Sequence, residues 1–262
     1  MARTAQHVEV FRVPCASPGD LRGVKALVDS GQLDPAHIIA VMGKTEGNGC
    51  VNDFTRDLAS TVWCHFLAER LKCTTAEAET RVCLVMSGGT EGVLAPHFTI
   101  FARRSADGPA PEEKRLVAGI ARTRDFLPEE IGRRAQILET AAAVKAAMTD
   151  AGIDDAADVH FVQIKCPLIS STNMQDARTR GCTTATQDTC ESMGYSRGAS
   201  ALGVAIALGE LDLSACTDQA VLNDFSLYSV RASMSSGIEL DNNVVLVLGE
   251  AAGSTSALRI AH

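Results

Sequence analysis

Short stretches dense in Val, Ile and Leu recur along the chain at 7–13, 37–42, 82–86, 97–102, 116–122, 159–164, 227–234, 243–248 and 258–261. Each is bounded by Gly, Pro, Asp or Ser, the pattern that predicts strands. Between them, residues 19–30, 53–71, 128–151 and 197–211 carry apolar side chains at helical spacing. The first of these follows Ser17-Pro18, a favourable helix start. Alternating strand and helix patterns predict an α/β fold.

The polar run RRSADGPAPEEK, with two prolines, reads as a linker. It separates a first unit over 1–103 from a second over 115–250, with the linker proper at 104–114. A small polar break at Ala251-Ala252-Gly253-Ser254 follows, and 251–262 reads as the first strand of a further unit.

The two units repeat each other. The first has an opening strand, a strand ending in Lys44, Phe54-Thr55-Arg56 opening a helix, a strand running into Ser87-Gly88-Gly89-Thr90-Glu91, and a closing strand. The second has an opening strand, a strand ending in Lys165, Tyr195-Ser196-Arg197 opening a helix, a strand running into Ser235-Ser236-Gly237-Ile238-Glu239, and a closing strand. The same features in the same order make coincidence a poor explanation. Loop insertions account for the unequal spacings.

Composition narrows the function. The chain has 262 residues, is 46% hydrophobic and carries a net charge of −8. That is enough apolar residue for a sizeable core and too much for disorder. An acidic chain with 4% aromatic residues and no basic stripe is a poor nucleic-acid binder. No apolar run reaches the length of a membrane span, and the N-terminus has no signal-peptide pattern. Nine scattered cysteines form no CxxC pair, which argues against a disulfide framework or a zinc knuckle. These features predict a soluble cytoplasmic protein with reduced thiols.

A lysine and a serine recurring at strand ends suggest a Ser–Lys dyad, in which a neutral lysine takes the serine proton. Backbone N–H groups in the turn after each serine can hold an oxyanion. One arginine per unit supplies a forked donor for carbonyl oxygens. The chemistry is acyl transfer on a small, amide-like, oxygen-rich molecule. A lysine at a strand end is more often a solvated residue, and a Ser-Gly pair more often a plain turn; it is the recurrence of all three types that favours a site. Glu91 and Glu239 rank below them, as structural hydrogen-bonding groups.

Three other motifs mislead. Gly194-Tyr195-Ser196-Arg197-Gly198 fits the nucleophile-elbow pattern, but polar residues precede it and only His262 follows it. Gly43-Lys44-Thr45 resembles the end of a phosphate loop whose earlier glycine is replaced by Ile38. The cysteines read as core fillers, with Cys166 set apart by its place beside Lys165.

The segments VMGKTEGNGCVNDFTR, VMSGGTEGVLAPHFTIFARR, TRDFLPEEIGRRAQ, FVQIKCPL, ESMGYSRGASALG and SSGIELDNNVV resemble the cyanuric acid hydrolase and barbiturase family of ring-opening amidohydrolases, cyanuric acid hydrolases more closely. The resemblance runs over essentially the whole chain. It implies structurally similar repeats around a pseudo-threefold axis, each contributing a Ser, a Lys and an Arg, with the third repeat largely missing here. It also implies that Ser235 is the nucleophile and Lys165 its base, while Lys44, Arg56, Ser87, Gly88, Arg197 and Ser236 bind the substrate. The implied substrate is cyanuric acid, with barbituric acid the alternative; a fragment that only binds the ring is a further alternative. No cofactor is implied, since the family's metal-binding loop lies in the third repeat. The family also implies a homotetramer and a role in s-triazine breakdown.

Overall fold

Apolar residues of β1 (Gln6–Pro14), β2 (Ile38–Lys44), β3 (Cys83–Ser87) and β4 (His97–Ser105) build a four-stranded sheet in the order β1-β4-β2-β3. Strands β1 and β2 both run antiparallel to β4, and β2 runs parallel to β3. The computed structural model describes residues 5–89, 94–106 and 111–262. By its contacts the chain divides into two units: Met1–Ala118 with Glu250–Ile260, and Gly119–Gly249 with Ala261–His262.

In the first unit, α1 (Arg22–Asp29), α2 (Phe54–Leu71) and α3 (Thr75–Arg81) accompany the sheet. Helix α2 starts where Asp53 caps it and ends at Lys72, whose φ of 53° is left-handed. Its inward face places Trp63 edge-on against Phe66 and Phe98, with ring centroids 5.9 and 5.3 Å apart. Its outer face leaves Phe54 and Leu58 exposed. Residues 251–260 fold onto this unit: Gln6 N donates to Gly253 O at 3.0 Å, and Ser256 Oγ to Val8 O at 2.7 Å.

In the second unit, β5 (Arg115–Arg122), β6 (Val159–Pro167), β7 (Ala232–Gly237) and β8 (Val244–Ala251) form a sheet in the order β5-β8-β6-β7. Strand β6 is parallel to β7 and antiparallel to β8. This is the strand order of the first sheet, with the same pair of parallel neighbours. Helices α4 (Arg134–Ala151), α5 (Ser171–Thr179) and α6 (Thr189–Ala207) complete the unit. Helix α6 approaches α4 closely at Gly203, where a Cβ would stand 2.5 Å from the Cβ of Thr140 and 2.7 Å from the Ile137 carbonyl.

The mixed α/β class read from the sequence is the class observed, with several local corrections. The strand expected at 227–234 lies at β7 instead. Residues 227–229 are irregular and 230–231 form a turn, with Tyr228 and Val230 exposed, and the serine-rich β7 is a strand because it pairs with β6. The strand expected at 258–261 is irregular, although Leu116 N donates to Leu258 O. Helix α4 begins at 134, not 128, because Gly132 turns with φ +77° just before it. The first helix runs 22–29 within the expected 19–30. Helices α3 and α5, both polar and both opened by capping boxes, escaped the apolar periodicity. The linker read at 104–114 begins inside β4, where Arg104 and Ser105 still pair with β1; residues 107–110 lie outside the described residues.

Candidate active site

Lys165 on β6 and Ser235 on β7 are register partners in a parallel pair. Register partners in adjacent strands present their side chains on the same face, and Lys165 Nζ stands 3.4 Å from Ser235 Oγ and 3.4 Å from the Ser236 carbonyl oxygen. The lysine is buried, with 2% of its surface exposed, because β6 is buried along most of its length. A buried ammonium is costly without a partner. Here the Glu239 carboxylate meets Nζ at 2.9 Å, itself only 9% exposed. The contact is an ion pair by distance, with angles outside those of an aligned hydrogen bond. The turn that returns Glu239 to the lysine passes through Gly237, where a Cβ would stand 2.0 Å from Glu239 Oε2.

Cys166, next on β6, is fully buried, and its Sγ lies 3.6 Å from the Ser235 carbonyl oxygen. Burial pushes its thiol up, against smaller opposing effects of Ser196, Lys165, Ser200 and Arg197. It is a buried thiol beside the Ser235 backbone, not a thiolate nucleophile.

Arg197 lies on α6, which packs against β6 and β7, and its side chain is exposed. Tyr195-Ser196-Arg197 does not open this helix, as the sequence pattern led us to expect. Asp188 caps it with bonds to the N–H groups of Cys190 and Glu191, so the triplet falls in the helix interior. Beneath it lies a buried polar network. Gln136 Nε2 donates to Ser196 Oγ at 2.9 Å, Ser200 Oγ at 3.1 Å and Asn243 Oδ1 at 3.3 Å. Gln136 Oε1 accepts from Gly132 N, and Asn243 Nδ2 donates to Thr140 Oγ1 and Ser200 Oγ. These bonds tie α4 and α6 to the start of β8.

In the first unit, Lys44 and Ser87 are likewise register partners of a parallel pair, both half-buried. Thr45 N donates to the Ser87 carbonyl at 2.8 Å and fixes the end of β3. Arg56 does lie in the first turn of α2; it is buried, and its Nη2 donates to the Cys50 carbonyl at 2.7 Å. Asp53 accepts from Gly49 N at 2.9 Å, from Thr55 N at 3.0 Å and from Thr55 Oγ1. A Cβ on Gly88 would stand 1.9 Å from Asp53 Oδ2, so the turn after Ser87 is moulded around this carboxylate. Burial pushes the Asp53 carboxyl up, but the Thr55 and Gly49 hydrogen bonds and the Arg56 charge outweigh it and hold it below the ordinary range. Glu91 lies outside the described residues.

Among the described residues no three His, Cys, Asp or Glu side chains come together as a metal site. No helix among them is long and apolar enough to cross a membrane.

The family model for amidohydrolase ring-opening proteins matches residues 9–262. The chain belongs to this family. It is 58% identical over 257 residues to a cyanuric acid amidohydrolase of Pseudomonas sp. (strain ADP), covering 98% of this chain and 71% of that protein. It is 57% identical to a cyanuric acid amidohydrolase of Bradyrhizobium diazoefficiens, covering 97% and 69%. Among solved structures, a cyanuric acid hydrolase superposes with a TM-score of 0.96 at 58% identity, covering 98% of this chain and 71% of that one. Another, from A. caulinodans, gives 0.91 at 48% identity, covering 98% and 70%.

Within this ring-opening amidohydrolase, the sequence pattern placed Glu239 below the Ser, Lys and Arg as a structural group, and the structure sets its carboxylate 2.9 Å from Lys165 Nζ; Asp53 and Gln136 drew no attention in the sequence. The signal for Glu239 was available: it closes a Ser-x-Gly-x-Glu pattern in each unit. The capping position of Asp53 was legible too, directly before an apolar helix.

Proposed function

We propose that this chain hydrolyses the ring of cyanuric acid, with Ser235 as nucleophile and Lys165 as its base. The observation that carries the reading is the buried Lys165 amine 3.4 Å from Ser235 Oγ. The relatives named cyanuric acid amidohydrolase support the choice of substrate.

Cyanuric acid presents alternating carbonyl and N–H groups. Ser235 Oγ attacks a ring carbonyl carbon as its proton passes to Lys165 Nζ. The carbonyl electrons move onto oxygen, where the backbone N–H of Ser236 is the candidate donor. Collapse breaks the ring C–N bond, and the leaving nitrogen takes the proton from Lys165. Water then attacks the acyl-enzyme, releasing carboxybiuret, which loses carbon dioxide to give biuret. The steps call for no redox partner or organic cofactor. Arg197 supplies a cationic donor for a ring oxygen, and Lys44, Arg56, Ser87 and Gly88 are assigned to substrate binding. Arg56 already donates one bond to Cys50, so its part includes holding the 45–53 loop.

The reading extends to a cytoplasmic homotetramer acting in s-triazine breakdown. The test follows ring absorbance on incubation of the purified chain with cyanuric acid and, separately, barbituric acid. Loss of absorbance with cyanuric acid and biuret as product is the expected result. Turnover of barbituric acid alone reassigns the substrate, and turnover of neither overturns the reading.

A further inference from the structure

Lys165 Nζ stands 2.9 Å from a Glu239 carboxylate oxygen as well as 3.4 Å from Ser235 Oγ, and a lysine takes a serine proton only as the neutral amine. The carboxylate contact offers a route to that form. We infer that Glu239 is the proton acceptor behind Lys165, so that Ser235, Lys165 and Glu239 act as a relay. This inference rests on the Ser235–Lys165 reading above. Lys165 gives one ammonium proton to the Glu239 carboxylate, which leaves an amine beside a carboxylic acid. The amine then takes the Ser235 hydroxyl proton as Oγ bonds to the ring carbonyl carbon. When the ring nitrogen leaves with a proton from Nζ, Glu239 returns its own to the lysine, and the pair is restored. Glu239 touches no substrate in this scheme; it is a positioning residue that sets the protonation of Lys165.

Three observations converge on it. Both side chains are almost fully buried, where a neutral pair avoids the desolvation cost of two charges. The lysine is shared between the serine at 3.4 Å and the carboxylate at 2.9 Å, which places it between proton donor and proton acceptor. Gly237 leaves the carboxylate a seat that any side chain would fill. Titratable or charged groups on the elements around the pair are His160 and Cys166 on β6, Glu250 on β8, Cys190, Glu191, Tyr195 and Arg197 on α6, and Asp241 in the turn after Glu239; of these, Cys166 is adjacent to Lys165 in sequence. Burial pushes the Cys166 thiol up, so it is not an alternative proton acceptor for Lys165.

The test uses Glu239→Gln in the full chain with two readouts: ring opening of cyanuric acid, and labelling of Ser235 by a fluorophosphonate, located by peptide mass. A pair that shares one proton gives the native chain a flat rate between neutral and mildly alkaline pH. In the variant, Lys165 must lose its proton to water. Both rates are expected to fall roughly 10²-fold at pH 7 and to recover as pH rises, an ionisation limb that the native profile lacks. An equal or faster rate in Glu239→Gln overturns the relay, since the carboxylate would then be restraining the lysine. A loss of the same size at every pH also overturns it, because it marks a structural role alone, and so does absence of Ser235 labelling in the native chain. Glu239-dependent labelling without turnover of cyanuric acid sinks the substrate reading and keeps the relay.

Discussion

The carboxylate of Glu239 lies against Gly237 so closely that a Cβ there would stand 2.0 Å from Oε2. Gly237→Ala must therefore move the carboxylate away from Lys165. Misplacement of a group by about 1 Å costs on the order of 10²-fold in rate. The expected outcome is a fall of that size in kcat for cyanuric acid, with the thermal midpoint lowered by a few degrees at most. Steady-state kinetics and a melting curve check it; an unchanged kcat would show that the carboxylate's seat does not matter.

Asp53 carries a similar burden in the first unit, where it caps α2 and binds Gly49 N. Asp53→Ala removes a cap worth about 1 kcal/mol and strands a backbone donor worth a further ~1 kcal/mol. The pH dependence has a definite sign. The folded carboxyl is held below its unfolded value, so its contribution is complete above the unfolded value of about 3.9 and is lost as pH falls through the folded one. Urea titrations of native chain and variant should differ most at neutral pH and converge in acid. A difference that grows as pH falls would reverse the assignment.

The sequence announced the two Lys–Ser pairs because chemistry and local structure coincide there. Lys44 and Ser87 end the apolar strands β2 and β3, Lys165 and Ser235 lie within β6 and β7, and parallel pairing sets lysine beside serine in both units. Other features depend on partners distant in the chain. Strand β7 is a run of Ala, Ser, Met and Gly whose extended form comes from β6, whereas the more strand-like residues just before it are irregular, with Tyr228 and Val230 exposed. The start of α6 is hidden by polar residues, and only the Asp188 cap marks it. The Gln136 network joins residues of three elements, and no periodicity reports such a meeting. The recurring Ser-x-Gly-x-Glu pattern drew attention to Glu239, but that its partner is Lys165 depends on how the turn after β7 folds back, which no local pattern reports.

Gln136 tests what that network contributes. It is fully buried, and its side chain serves Gly132, Ser196, Ser200 and Asn243. Gln136→Met keeps much of the volume and removes the polar atoms, leaving buried donors and acceptors unmet at roughly 1–3 kcal/mol each. A loss of about 3 kcal/mol is expected in urea unfolding. Because the network underlies the turn of α6 that carries Arg197, KM for cyanuric acid should rise as well. A stable variant with unchanged KM would show that the network is dispensable to both.

Ser235 and Ser87 divide the two roles assigned to serine. Ser235 sits beside a lysine that is buried and carboxylate-paired, whereas Ser87 sits beside the half-buried Lys44. A lysine buried more deeply beside its serine is the better placed to become a neutral base, so the second pair is expected to do the chemistry. Ser235→Ala should abolish the acyl-enzyme and lower kcat roughly 10³-fold or more. Ser87→Ala removes one hydrogen bond to the ring, worth about 1 kcal/mol, and should raise KM by about fivefold while the acyl-enzyme still forms. Rapid quench with labelled cyanuric acid, followed by intact mass measurement, separates the two. An acyl-enzyme that survives Ser235→Ala and disappears in Ser87→Ala would transfer the nucleophile to the first unit, and Lys44 would then be its base.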